Sequence, residues 1–120
     1  MLLSSQPKLQ LKYDGAITIA IGKSRKDTNW KNRELLWSQL LERFSQTTRT
    51  RETYEEYKKL PKPQQDNIKD VGGFVGGSLK GGRRKADTIA WRQLVTLDAD
   101  YVQGDLWGMI EMFWDFACAV

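Results

Sequence analysis

The chain has 120 residues, of which 40% are hydrophobic, 28% charged and 11% aromatic, and it carries a net charge of +4. That is the size of one small domain or part of a larger one, and the composition excludes a disordered or fibrous chain. With no histidine and a single cysteine, Cys118, an internal disulfide, an imidazole base and a Ser-His-Asp triad are excluded, and a zinc site has almost no ligands left.

Residues 1–14 show no clear period and are expected to include a loose N-terminus. They lack the charged-then-apolar layout of a secretory leader, and no apolar run reaches the roughly 18 residues of a membrane span. A cytoplasmic location without a membrane partner is expected. Ala16-Ile17-Thr18-Ile19-Ala20-Ile21 is short and β-branched and ends at Gly22, which predicts a strand. A polar, basic loop follows to Trp30. Leu35, Leu36, Leu40, Leu41 and Phe44 fall at helical spacing, which predicts an amphipathic helix over about 31–44, with Thr28 or Asn29 as its cap. A second, polar helix is expected over about 51–60. Pro61 and Pro63 stop it, and a short helical turn follows around Gln64–Lys69.

The segment Gly72 to Lys85 holds six of the ten glycines. It contains neither a Walker phosphate loop nor a dinucleotide-binding fingerprint. Paired glycines permit tight bends or close backbone approach, so Arg83, Arg84 and Lys85 either reach a phosphate or form the solvated tip of a hairpin. Residues 89–97 read as a strand. After a turn at Gln103-Gly104, Asp105 is placed to cap a helix over 106–116. The apolar stretch Phe116-Ala117-Cys118-Ala119-Val120 resembles the start of a buried strand, which would complete a βαβ unit, the alternative being a helix that buries its own end. The chain is therefore expected to be a single partial domain over residues 1–120, the N-terminal part of a longer one.

Charge is distributed unevenly. Residues 22–51 carry eight Lys/Arg against three acids, and residues 80–92 carry five against Asp87 alone. After Arg92 there are five acids and no Lys or Arg. Basic stretches suit phosphates, and Lys23, Arg25 and Lys26 after the first strand have the same two readings as Arg83–Lys85. Of the five tryptophans, Trp37, Trp91, Trp107 and Trp114 lie in periodic segments and are expected in the core. Trp30, beside the basic loop, is the base-stacking candidate.

If residues 94–100 continue a strand, Val95, Leu97 and Ala99 share one face, and Thr96, Asp98 and Asp100 share the other. Two residues of rise is roughly 6.5 Å, so both carboxylates project from neighbouring positions. Such a pair repels itself unless a cation lies between, and magnesium prefers one or two carboxylates plus substrate phosphates. Asp98 and Asp100 are thus candidate metal ligands, with a surface turn as the alternative.

Gly22-Lys23-Ser24-Arg25-Lys26, Lys69-Asp70-Val71-Gly72-Gly73-Phe74-Val75-Gly76-Gly77, Gly82-Arg83-Arg84-Lys85 and Thr96-Leu97-Asp98-Ala99-Asp100 together resemble the N-terminal region of phage and prophage replication proteins of the virulence-associated protein E family. That region is similar to archaeo-eukaryotic primase-polymerase domains. The resemblance implies an α+β fold: an incomplete primase-polymerase-type domain, mostly sheet with flanking helices and a truncated βαβ unit at its C-terminus. It implies that Asp98 and Asp100 match the first catalytic motif and bind Mg2+ or Mn2+. The partners it implies are a DNA template, nucleoside triphosphates and a following helicase-like ATPase domain. The family pattern continues with a histidine motif and a further acid. With no histidine here, the expectation is a truncated prophage replication protein, a nucleotidyltransferase part with little activity alone. A non-catalytic nucleic-acid-binding module or a prophage remnant is the alternative.

Overall fold

The computed structural model describes residues 13–100 and 102–112. The expectations placed on residues 1–12, on Trp114 and on the apolar stretch from Phe116 lie outside the described residues. The short β-branched run forms strand β1, Ala16–Gly22, as its composition predicts. It is the middle of a three-stranded antiparallel sheet. Strand β2, Lys31–Leu36, pairs with it from Ala16↔Leu36 to Ile21↔Lys31. Strand β3, Gly73–Val75, pairs on the other side from Ala20↔Val75 to Gly22↔Gly73. Strands β4, Gly77–Leu79, and β5, Ile89–Arg92, form a second antiparallel pair. Among the described residues four α-helices accompany the strands: α1, Trp37–Phe44; α2, Tyr54–Lys59; α3, Lys62–Lys69; and α4, Leu106–Glu111. The architecture is α+β.

Residues 31–36 depart from the predicted helix. A central strand needs its backbone groups paired along both edges, and these six residues supply one edge. Leucine favours helix, but pairing against a buried strand outweighs that weak preference. The helix begins only at Trp37, so neither Thr28 nor Asn29 caps it. Gln39 Oε1 instead accepts from Leu36 N–H at 2.8 Å, and the Asp14 carboxylate accepts from Ser38 N–H at 2.7 Å and from its hydroxyl at 2.8 Å.

Both faces of β1 are covered, and its two sets of side chains differ in size for that reason. Ile17 and Ile19 pack against Trp37 and Leu40 of α1, with Ile21, Leu35 and Leu41 at the margin. On the opposite face Ala20 packs against Trp30, Val75 and Leu79. A Cβ on Gly22 would overlap the ring of Trp30, so this face accepts only small residues. Trp30 is 5% exposed. It is a core residue and not the base-stacking platform that its polar neighbours in sequence suggested.

Helix α2 is shorter than predicted and starts with a reciprocal cap. Thr53 Oγ1 accepts from Glu56 N–H at 3.2 Å, and Glu56 Oε2 accepts from Thr53 N–H at 3.0 Å. The prolines separate α2 from α3, and Pro63 sits in the first turn of α3, where a missing N–H costs nothing.

The predicted strand 89–97 is two pieces. β5 ends at Arg92 because the chain there leaves β4 for the first sheet. Gln93 and Leu94 N–H both donate to Gly76 O at 3.1 Å. Gln93 Oε1 accepts from Thr18 N–H at 2.7 Å, completing the edge of β1 where β3 does not reach. From Leu94 to Asp100 there is no regular strand, and Val95 and Leu97 are 83% and 73% exposed. The shared strand face of Val95, Leu97 and Ala99 is therefore not formed. Asp105 caps α4 as predicted, accepting from Gly108 N–H at 3.1 Å. Trp91 and Trp107, expected in the core, are 47% and 66% exposed.

Candidate phosphate-binding site

The loop that follows β1 is folded around two aspartates. Asp27 N–H donates to Ser24 O at 3.1 Å, and the Asp27 carboxylate accepts from Lys23 N–H at 2.9 Å and Asn29 N–H at 2.8 Å. Those two backbone bonds hold the Asp27 carboxyl below the usual carboxylate range. Asp70, at the end of α3, accepts from Arg25 N–H through both oxygens, at 2.9 and 3.0 Å, and Arg25 Nη2 donates to Asn67 Oδ1 at 3.4 Å. Arg25 is therefore partly committed to holding the loop against α3. Lys23 and Lys26 point into solvent with no ion-pair partner among the described residues.

The depressed pKa of Asp27 sets the sign of a pH effect. Its contribution to loop order is fully present above the unfolded carboxylate value and is lost as pH falls through the lower folded value. The Lys23 and Asn29 amide resonances should hold their positions through mildly acidic pH and shift only below the ordinary Asp range. In Asp27→Asn that acid transition should vanish.

The second cationic segment is the connection between β4 and β5. Lys80 N–H donates to Thr88 O at 2.7 Å. The Thr88 hydroxyl accepts from Lys85 N–H at 3.0 Å and lies 2.8 Å from the Arg83 and Lys85 carbonyls, donating to one at a time. A single 3₁₀ turn, Ala86–Thr88, then leads into β5. A hairpin with a cationic tip, one of the two readings open from the sequence, is thus present, and it is built against the end of the first loop. Trp30 N–H donates to Gly82 O at 2.7 Å, and the Arg84 guanidinium lies 5.2 Å from the centre of the Trp30 ring. Two residues further on, the Asn32 side chain bonds both the N–H and the C=O of Leu79 at 2.9 Å.

Between this hairpin and β3 lies a cavity of about 440 Å3. Phe74, Val75 and Ile89 form its apolar wall, and Arg84, Lys85 and Arg92 supply three cations. Thr96 and the Gly76 backbone also line it, and no acidic residue does. A second hollow of about 270 Å3, between Tyr13, Ile17, Trp37, Gln93 and Leu94, carries no charged side chain.

The structure gathers the sequence candidates unevenly. Arg84 and Lys85 reach the cavity, whereas Arg83, Lys23, Arg25 and Lys26 are outside its lining. Asp98 and Asp100 are exposed and follow Thr96 on the irregular segment after β5. Among the described residues no cluster of three or more metal-ligating side chains occurs. Two carboxylates are hard oxygen donors that suit magnesium or manganese, provided phosphate oxygens and water complete the shell. Arg92 and Thr96 were not singled out from sequence. The excess of cations over residues 80–92 was the available signal for Arg92, and Thr96 had none beyond its neighbours.

Among the described residues no helix is long and apolar enough to cross a membrane. Neither a curated protein nor a solved structure matches the chain. A family model described as the VapE N-terminal domain matches residues 3–120. That match spans the basic loop, the glycine-rich hairpin and the aspartate segment alike, and the chain belongs to the VapE N-terminal domain family.

Proposed function

We propose that this domain binds the phosphates of nucleotides or nucleic acid in a phage-type DNA replication protein, as part of a metal-dependent primase-polymerase nucleotidyltransferase. The observation that carries the reading is the acid-free cavity with Arg84, Lys85 and Arg92 in its wall and Thr96 leading into the Asp98–Asp100 segment. Cations alone fit a polyphosphate, and guanidinium groups fit it with directed N–H bonds. Asp98 and Asp100 are the residues that would hold a divalent ion. When bound, magnesium or manganese supplies polarisation of phosphate oxygens and a lower pKa for an attacking hydroxyl. Lys23 and Lys26 extend the basic surface toward a DNA template, and a helicase-like ATPase domain is the expected companion in the full replication protein. The chain contains no histidine, so the imidazole that primase-polymerases use against the incoming nucleotide has to come from elsewhere, and residues 1–120 alone should polymerise poorly.

The test is a nucleoside triphosphate titration with and without manganese. Affinity should rise with the metal, and Asp98→Asn with Asp100→Asn should remove that rise while leaving metal-free binding intact. The exposed Lys23 and Lys26 favour a second reading, a non-catalytic nucleic-acid binder. In that case the double asparagine variant would bind DNA as well as the parent or better, with no metal dependence in either.

A further inference from the structure

We infer that Trp30 is a positioning residue for anion binding: its buried ring holds the Arg84 guanidinium over its face at the cavity wall and leaves the N–H donors of that group available to phosphate. The inference rests on the proposed phosphate-binding reading and adds a residue that does not itself touch the anion. Trp30 is not part of the cavity lining, whereas Arg84 is. The Arg84 guanidinium carbon lies 5.2 Å from the centre of the Trp30 ring, within the range of a cation–π contact.

The ring itself has little freedom. It is 5% exposed and packed with Ala20, Val75 and Leu79, and Gly22 leaves room for it. Its Nε1 is buried without a partner among the described residues, so the ring is fixed by its apolar surfaces. The same residue also anchors the loop backbone, because Trp30 N–H donates to Gly82 O at 2.7 Å. Trp30 thus holds the loop at Gly82, two residues before Arg84, as well as the Arg84 side chain itself.

A cation–π contact uses the charge of the guanidinium and not its donors, which lie in the plane of the group and point outward. An arginine held this way has already lost part of its rotamer freedom before an anion arrives, so less is lost on binding. Lysine carries a single ammonium in place of a planar fork of donors, so it would not present the same directed N–H bonds from this position.

The test uses the full chain and inorganic tripolyphosphate as the probe, with the Arg84 Nε–H followed by nuclear magnetic resonance. In the parent protein that resonance should be displaced by the ring current of Trp30, and it should move further on titration without losing the displacement. Trp30→Phe, which keeps an aromatic face, should retain affinity to within about twofold. Trp30→Leu should lose about fivefold in affinity, and its Arg84 Nε–H should return to an ordinary position. Arg84→Lys should match the Trp30→Leu loss, and combining the two should add nothing further.

An undisplaced Arg84 Nε–H in the parent overturns the inference even if Trp30→Leu fails to fold. A folded Trp30→Leu variant with parental affinity overturns it as well, while leaving the phosphate-binding reading standing. If the parent shows the displacement but does not bind tripolyphosphate at any practical concentration, both the phosphate-binding reading and the positioning role fall.

Discussion

Changing Arg84, Lys85 and Arg92 together to glutamine is expected to weaken tripolyphosphate binding roughly hundredfold at low salt. A charge-assisted hydrogen bond contributes about 1.5–3 kcal/mol when shielded. These side chains are largely exposed, so the high dielectric of water reduces each to about 1 kcal/mol, and the three contributions combine in one cavity. With duplex DNA as the ligand, the salt dependence should flatten by about 0.9 in log–log slope for each phosphate contact removed. Thermal stability should change little, because all three side chains are outside the core. The matched control is Lys58→Gln, Lys59→Gln and Lys62→Gln, which removes the same formal charge from α2 and α3. Equal weakening by the control set would mean that net charge alone governs binding and that the cavity has no special role.

The second large effect is on stability. Ile19→Ala should destabilise the domain by about 2–5 kcal/mol, which is the range for deleting a large aliphatic side chain from a packed core. Ile19 and Leu40 are the largest side chains with essentially no exposure among the described residues, and they lie in one cluster with Ile17 and Trp37. That cluster joins α1 to the centre of the sheet. For a domain of ordinary stability, about 5–15 kcal/mol, the loss is a large share of the total. Urea unfolding of Ile19→Ala and of Ile19→Val measures it, with the valine variant expected to lose only about 0.5–1.5 kcal/mol. A midpoint for Ile19→Ala close to that of the parent would contradict the placement of this residue.

The sequence was most legible where local chemistry and tertiary demand agree. The β-branched run of β1 and the Asp105 cap of α4 could be read directly, and the hairpin carrying Arg83, Arg84 and Lys85 was one of two readings left open. It was misleading at Lys31–Leu36, where leucines at helical spacing lie in a strand because β1 needs an edge partner. It misled again at residues 89–97. The break after Arg92 is decided by Gly76 O and Thr18 N–H, groups far away in the chain with no signature near Gln93. Trp30 shows the same limit on a single residue, since its flanking loop is polar while its spatial neighbours are not. Within the candidate site, Arg84 and Lys85 were visible as cations in a glycine-rich segment. That Arg92 joins them follows from the cavity between β3 and the hairpin, which periodicity does not encode. Asp98 and Asp100 retain the residue pattern of a metal pair, but the regular strand that was to place them side by side stops before they are reached.

The unequal covering of β1 has a consequence for misfolding. Shifting this strand by one position against β2 would turn Ile17 and Ile19 toward the narrow side now held by Ala20 and Gly22, and would leave the helix facing Thr18 and alanine. The bulky side chains do not fit the first location and the small ones leave a void in the second, so both errors penalise the same slip. The alternation of isoleucine with small residues therefore selects a single alignment of the hairpin, and trapped out-of-register species should be scarce when the chain refolds.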